Sequence, residues 1–391
     1  MTRARLLMCA LIVPALLLGA GQAGAEPTSA GTAGAVTERD GGDRNGAIAG
    51  RGEYGHRAQT TVVRYGPFTV PGAMSADHPG MISNAIIREG GCRGLGFCRD
   101  MPVEKPCEDC YITEIVPNLV DATTGETINY DNGGMLHHVV NVNWSRPDAT
   151  CAPGAGGGII NLLGALEGGN DRFFATGNER TLFETPQGYG LPVRADDDWG
   201  LIIDLMNMTT SPRDMALEYT FTWVPDTVPV KPLTPVWLDI DNCGDSEVDL
   251  PHGYSDTEWD WTSTISGKVM ALAGHVHDNG LSIAAENVTS GKEICTSLAG
   301  YPEGSMFGPA VPGSGSDPLH PTDWWHMTAG DHPDVDLESY QGHVAGATGC
   351  MPREWIREGD TIRLHTQYGV GDHGHGHGGQ MGIMVAYVHE R

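Results

Sequence analysis

Residues Leu217-Glu218-Tyr219-Thr220-Phe221-Thr222-Trp223-Val224 alternate apolar and polar side chains, and Pro225-Asp226-Thr227-Val228-Pro229-Val230-Lys231-Pro232 then breaks the pattern with three prolines. Successive side chains of an extended chain point to opposite faces, so this alternation in β-branched and aromatic residues marks a half-buried strand. A proline-dense run donates few backbone hydrogen bonds to a ladder and reads as a linker. Short strands separated by turns continue on both sides. They cover residues 60–65, 110–116 and 138–144 before the linker, and 235–240, 268–272, 361–365 and 381–388 after it. Glycine (55) and proline (25) are abundant while charged residues make up only 19%, which favours turn-rich β structure over a helical bundle. A single helical turn is expected within residues 159–166, and residues 309–322 read as a long loop. The expected fold is all-β: two tandem antiparallel β-sandwich (jelly-roll-like) domains, residues 61–228 and 229–391.

Two segments are expected to precede them. Arg3 and Arg5, the apolar run Leu6 to Leu18 and the small residues Ala23-Gly24-Ala25 read as a signal peptide over residues 1–25. Residues 26–60 lack periodic apolar positions and read as a disordered leader. The protein is therefore expected to be secreted or extracytoplasmic. A net charge of −27 argues against nucleic-acid and anionic-membrane partners. No later stretch offers the uninterrupted apolar length of a membrane span.

Setting aside Cys9 in the apolar leader, Cys92, Cys98, Cys107, Cys110, Cys151, Cys243, Cys295 and Cys350 remain, an even set that reads as a disulfide framework of open connectivity. Cys107-Glu108-Asp109-Cys110 has no second CxxC to complete a zinc site, so it reads as two structural half-cystines. Three Asn-x-Ser/Thr sequons begin at Asn143, Asn207 and Asn287. No G-x-S-x-G elbow, P-loop or dinucleotide fingerprint is present. Asp239-Ile240-Asp241-Asn242 reads as a solvated turn rather than a calcium site.

The histidines are distributed unevenly. His137-His138 follows Gly133-Gly134-Met135-Leu136, His275-Val276-His277 ends an apolar run, and His373-Gly374-His375-Gly376-His377 precedes Gln380-Met381. An HxH on a strand puts both imidazoles on one face, where two nitrogens reach one metal. A thioether added to such a pair makes a soft set suited to copper cycling between its two oxidation states. Adjacent histidines on a strand point to opposite faces, so His137 and His138 need a bulge to share a metal.

The order HH, then HxH, then a methionine near the C-terminus resembles the copper type II, ascorbate-dependent monooxygenase family (peptidylglycine α-hydroxylating monooxygenase and dopamine β-monooxygenase-like). Met135-Leu136-His137-His138-Val139, Gly274-His275-Val276-His277, and Glu358-Gly359-Asp360-Thr361-Ile362-Arg363 leading to Gln380-Met381-Gly382-Ile383-Met384-Val385-Ala386-Tyr387 carry the likeness, over about residues 105–391. It implies two β-sandwich domains with one copper each, set apart across a cleft. Ascorbate or a similar reductant supplies electrons, and O2 hydroxylates a C–H bond of a small-molecule or exposed-chain substrate. His275, His277 and Met381 match the catalytic, oxygen-activating copper. His137 and His138 match two ligands of the electron-transfer copper. The family's third histidine there corresponds best to Met206, with Met208 second. His373, His375 and His377 have no family counterpart and read as accessory ligands that load or shield the second copper.

The likeness has limits that bear on substrate. The peptide-amidating members hold the substrate carboxylate with an arginine where this chain has Ala273, and their Asn and Tyr beyond the ligand methionine are Ile383 and Val385 here. Alanine cannot replace a bidentate guanidinium, so peptide amidation is not implied. The sequence thus leaves two expectations of different class: an exported copper monooxygenase, or a non-catalytic exported copper-binding protein on the same fold.

Overall fold

The structure, a computed structural model, describes residues 57–391 except 76–77, 93–95, 97, 153–162, 165–168, 242, 245, 251–252, 302–342 and 371–378. The expected signal peptide and almost all of the leader lie outside the described residues. So do the 309–322 loop, most of the 159–166 segment, and His373, His375 and His377.

Strand follows strand along the described chain. The first are β1 (Gln59–Val70), β2 (Gly80–Arg88), β3 (Cys98–Asp100), β4 (Cys110–Asp121), β5 (Gly134–Asn143) and β6 (Asp171–Gly177). Next come β7 (Phe183–Glu184), β8 (Tyr189–Val193), β9 (Trp199–Asn207), β10 (Arg213–Pro225) and β11 (Lys231–Pro232). Then come β12 (Thr234–Asp239), β13 (Gly253–Thr262), β14 (Gly267–Val276), β15 (Gly280–Asn287) and β16 (Lys292–Gly300). The last are β17 (Gly346–Ala347), β18 (Gly349–Cys350), β19 (Trp355–Ile356), β20 (Thr361–Val370) and β21 (Gly382–Glu390).

These strands build four small sheets. Sheet A runs β1-β10-β4-β8-β11, with β7 also on β4, and sheet B runs β3-β2-β9-β5-β6. Sheet C runs β12-β21-β14-β18, with β19 on β14, and sheet D runs β13-β20-β15-β16-β17. Here the sequence reading needs correction. The all-β class stands, but the two tandem β-sandwiches do not: the four sheets are arranged as a four-bladed β-propeller. Alternation identifies which residues of a strand face inward. It carries no information on which sheet the strand joins, and partners such as β1 and β10 lie far apart in the chain.

Buried side chains tie the sheets together. One apolar cluster joins Ile115, Val139, Ile203, Leu205 and Phe221 of sheets A and B to Trp237, Met270, Ile383 and Tyr387 of sheet C. The Tyr387 hydroxyl donates to the Phe173 carbonyl at 3.0 Å, and the Asn178 amide to the Val344 carbonyl at 2.8 Å. Arg172 is buried with its Nε 2.8 Å from Asp148 and its guanidinium carbon 4.6 Å from the centre of the Trp237 ring. Such a charge is tolerated inside because carboxylates and an aromatic face replace its water.

All eight expected half-cystines pair, as Cys92–Cys98, Cys107–Cys110, Cys151–Cys243 and Cys295–Cys350. No helix among the described residues is long and apolar enough to cross a membrane. The three sequon asparagines are all buried, Asn143 at 3%, Asn207 at 0% and Asn287 at 2% exposure.

Candidate metal centre

The first histidine pair sits on β5, all ten residues of which are buried. Its entry is set by a short 3-10 turn over Tyr130–Asn132, capped by Asn129 and closed by Gly133 in the left-handed region (φ 84°). The pairing of β5 with β9 slips between Leu136 and His138, so His137 is the extra residue of a β-bulge. The bulge lets consecutive residues share a side. His137 Nδ1 and His138 Nδ1 lie 3.2 Å apart.

The second pair closes β14. His275 ends on Glu179, its Nδ1 2.7 Å from the carboxylate Oε1. His277 Nδ1 lies 2.7 Å from the Gly379 carbonyl. A carbonyl only accepts, so Nδ1 of His277 carries the proton and Nε2 carries the lone pair. The buried Nε2 atoms of both His275 and His277 have no hydrogen-bond partner among the described residues. An imidazole anchored through Nδ1 with a bare, buried Nε2 is the usual state of a metal ligand.

The two pairs meet. Ring centres are 4.4 Å apart for His137 and His277, 5.8 Å for His138 and His277, and 6.4 Å for His138 and His275. His137, His138 and His277 each offer a ligand atom within 4.8 Å of the others. The resemblance implies histidine pairs standing apart across a cleft; here they form one buried group. Close imidazoles cannot all be charged. Burial, then the neighbouring histidines, hold His138 well below the ordinary histidine value. Burial and His275 lower His277 to about 3. Both are therefore neutral donors at neutral pH, the form that binds metal. Bare nitrogens and neutral rings fit a borderline or soft ion such as copper.

Carboxylates absent from the sequence reading surround them. Burial alone would raise the Glu179 carboxyl, but the charge and hydrogen bond of His275 outweigh it and hold it below its usual value. Its Oε1 also accepts from the Gly177 backbone at 2.8 Å. Asp204 lies opposite His138 in the sheet, with Oδ1 4.0 Å from His137 Nδ1. Burial, with the charge of Glu247 adding to it, lifts Asp204 to about 7. Asp278 and Met135 line the same small cavity as His137, Glu179, His275 and His277. Asp278 accepts from the Val344 backbone at 2.8 Å and pairs with His343 Nδ1. Lone carboxylates in turns have no periodicity that would single them out, so Glu179 and Asp278 were invisible in one dimension.

Met381 is buried in the apolar core, and its carbonyl accepts from the Tyr368 hydroxyl, which itself accepts from the His277 backbone at 2.9 Å. Met206 is buried on β9 directly opposite Met135. Ala273, Ile383 and Val385 all lie in sheet C, where Ala273 faces Val385 and Ile383 faces His275 in register.

No family model matches the chain. It is similar to "Probable copper-dependent oxygenase M1" of Phoma sp. (strain ATCC 20986 / MF5453), 28% identical over 273 residues covering 64% of this chain and 62% of that protein. It is also similar to "Probable copper-dependent oxygenase clz3" of Cochliobolus lunatus, 27% identical over 212 residues covering 48% of this chain and 63% of that protein. The matches thus span a little under two thirds of either relative's length. The chain has distant relatives among proteins named as copper-dependent oxygenases.

Proposed function

We propose that this protein is an exported copper-dependent oxygenase whose metal is held by His137, His138, His275 and His277. The observation that carries the reading is the convergence of His137, His138 and His277 within 4.8 Å, with the His275 ring centre 5.3 Å from that of His277 and the buried Nε2 atoms of His275 and His277 bare. The names of the two relatives supply the reaction class. When bound, copper alternates between Cu(I) and Cu(II) and supplies the one-electron chemistry that O2 activation requires. The overall change inserts one oxygen atom of O2 into a substrate C–H bond and reduces the other to water, with two electrons from ascorbate or a similar reductant and two protons.

The chain's own groups prepare this. Glu179 and the Gly379 carbonyl orient His275 and His277 through Nδ1 and aim Nε2 inward. Burial of the four rings keeps bulk water away, and burial with the neighbouring imidazoles keeps His138 and His277 uncharged. Met135, on the cavity wall, adds a third candidate thioether to Met206 and Met381. The roles expected for Met206 and Met381 as ligands remain part of the test below.

The second reading, a non-catalytic copper-binding protein, draws on one observation: none of the four histidines is more than 8% exposed, which leaves little access for a large substrate. Metal analysis and ascorbate-driven oxygen uptake separate the two. An oxygenase retains copper and couples oxygen uptake to a product, and His277→Ala loses both. Copper retained without substrate-coupled uptake supports the binding protein. Coupled uptake that survives His277→Ala rejects the site, and Met206→Leu, Met381→Leu and Met135→Leu identify which sulfur matters.

A further inference from the structure

Three methionines stand in one row across sheet B. Met81 of β2 pairs directly with Met206 of β9, and Met206 pairs directly with Met135 of β5. Directly paired residues of neighbouring strands project from the same face, with Cβ atoms about 5 Å apart. A soft ion can be passed between, or shared by, sulfurs at that spacing.

The row stands outside the large apolar cluster. The neighbours of these residues, Ile82, Leu136 and Leu205, belong to the large apolar cluster, whereas Met81, Met135 and Met206 do not. Asp204, two residues before Met206 and so on its face, is the carboxylate 4.0 Å from His137. The same face therefore carries both the methionines and a group touching the histidines. One end of the row opens on the histidine cavity through Met135, and Met206 in the middle is 2% exposed. The other end, Met81, is partly exposed, and the loop before it carries Met74, 87% exposed. Strand interiors favour β-branched and aromatic residues. Three unbranched thioethers in direct register are a chemical set rather than a packing preference.

We infer that Met81, Met206 and Met135 form a Cu(I) site that receives the reduced ion at the protein surface and delivers it to the histidines. Thioethers favour Cu(I), whereas a divalent ion such as Zn(II) goes to imidazole directly. Transfer along the row involves no change in oxidation state; each step exchanges one sulfur ligand for the next and finally for nitrogen. The inference rests on the histidine centre being a copper site.

The test uses the metal-free full chain under anaerobic conditions. Cu(I) is supplied from a coloured chelator complex, and uptake is followed by chelator absorbance and X-ray absorption. The wild type should first show sulfur scattering around Cu(I), then gain nitrogen scattering. Met81→Leu and Met206→Leu, which nearly preserve volume, should slow Cu(I) uptake several-fold and lose sulfur scattering while leaving Zn(II) uptake unchanged. Met270→Leu, in the apolar core, should behave as wild type. Unchanged Cu(I) uptake in both row variants, with only nitrogen scattering in the wild type, overturns the methionine site and leaves the histidine centre standing. A wild type that retains neither Cu(I) nor Zn(II) overturns both.

Discussion

At the residue scale, the centre depends on how each imidazole is held. Gly177 lies opposite His138 in the sheet, and a Cβ built there would come within 2.6 Å of the His275 ring and 2.7 Å of the His137 carbonyl. The backbone carbonyl cannot yield, so the ring must. Gly177→Ala should therefore weaken copper retention at least tenfold, roughly the lower effect of disturbing a ligand's support, as measured by competition with a chelator. Glu179→Gln keeps the shape but removes the charge that anchors His275. It should weaken copper by a similar order and change the copper spectrum, and a variant indistinguishable from wild type would show that Glu179 does not position His275. The reach of sequence is clear from these residues. His275 and His277 were evident because alternation puts i and i+2 together. Glu179 was not, because the chain from residue 179 to 275 has to fold before the two meet.

At the element scale, β5 and β13 illustrate different uses of a strand. The adjacent His137 and His138 are legible in sequence only as a requirement for a bulge, and the slip between β5 and β9 provides one. β13 is the edge of sheet D, and it alternates partly buried and exposed residues along most of its length. Its exposed positions include Asp256, Glu258 and Asp260, with Arg363 of β20 2.6 Å from Asp260 and 3.1 Å from Glu258. The hydrogen bond from Arg363, chiefly, holds Asp260 below its usual carboxylate value. An open strand edge is a template for pairing with another chain, and charge on it discourages that. Replacing Asp256 and Asp260 by Asn and Glu258 by Gln should increase concentration-dependent association in light scattering. Unaltered monodispersity would show that the charges do not protect this edge.

At the scale of the whole molecule, two linkages can be read in solution. Cys151–Cys243 closes a chain separation of 92 residues and joins the segment after β5 to the segment after β12. Replacing both cysteines by serine should cost about 2–5 kcal/mol, seen as a lower urea midpoint. The second linkage is with protons. His277 falls from 6.5 to about 3 on folding and His138 is also strongly lowered, so below about pH 6.5 the unfolded chain binds protons that the folded chain refuses. Stability of the metal-free protein should then fall as pH drops from 7 toward 4. Asp204 acts in the opposite sense. Its folded value near 7, against 3.8, means the folded chain holds a proton there that the unfolded chain releases, and that favours folding as pH falls. Buried Asp171, also raised, acts with Asp204, while the lowered carboxyls of Glu179, Asp121 and Asp260 act with the histidines, and Asp204→Asn should make the acid-side decline of melting temperature steeper. A decline unchanged by that substitution would show that Asp204 does not retain its proton in the folded state.

What the amino-acid order settled by itself was local: extended segments from period-two alternation, turns from glycine and proline, an even set of half-cystines, and imidazole pairs at metal-binding spacing. These depend on neighbours within a few residues, and such information is written along the chain. The number of sheets, their propeller arrangement in place of two sandwiches, the convergence of His137 and His138 with His275 and His277, and the alignment of Met81, Met206 and Met135 were decided only by tertiary structure. Each requires strands remote in sequence to pair in one register, and register is selected by the packing of whole faces against each other, a quantity that no single segment contains.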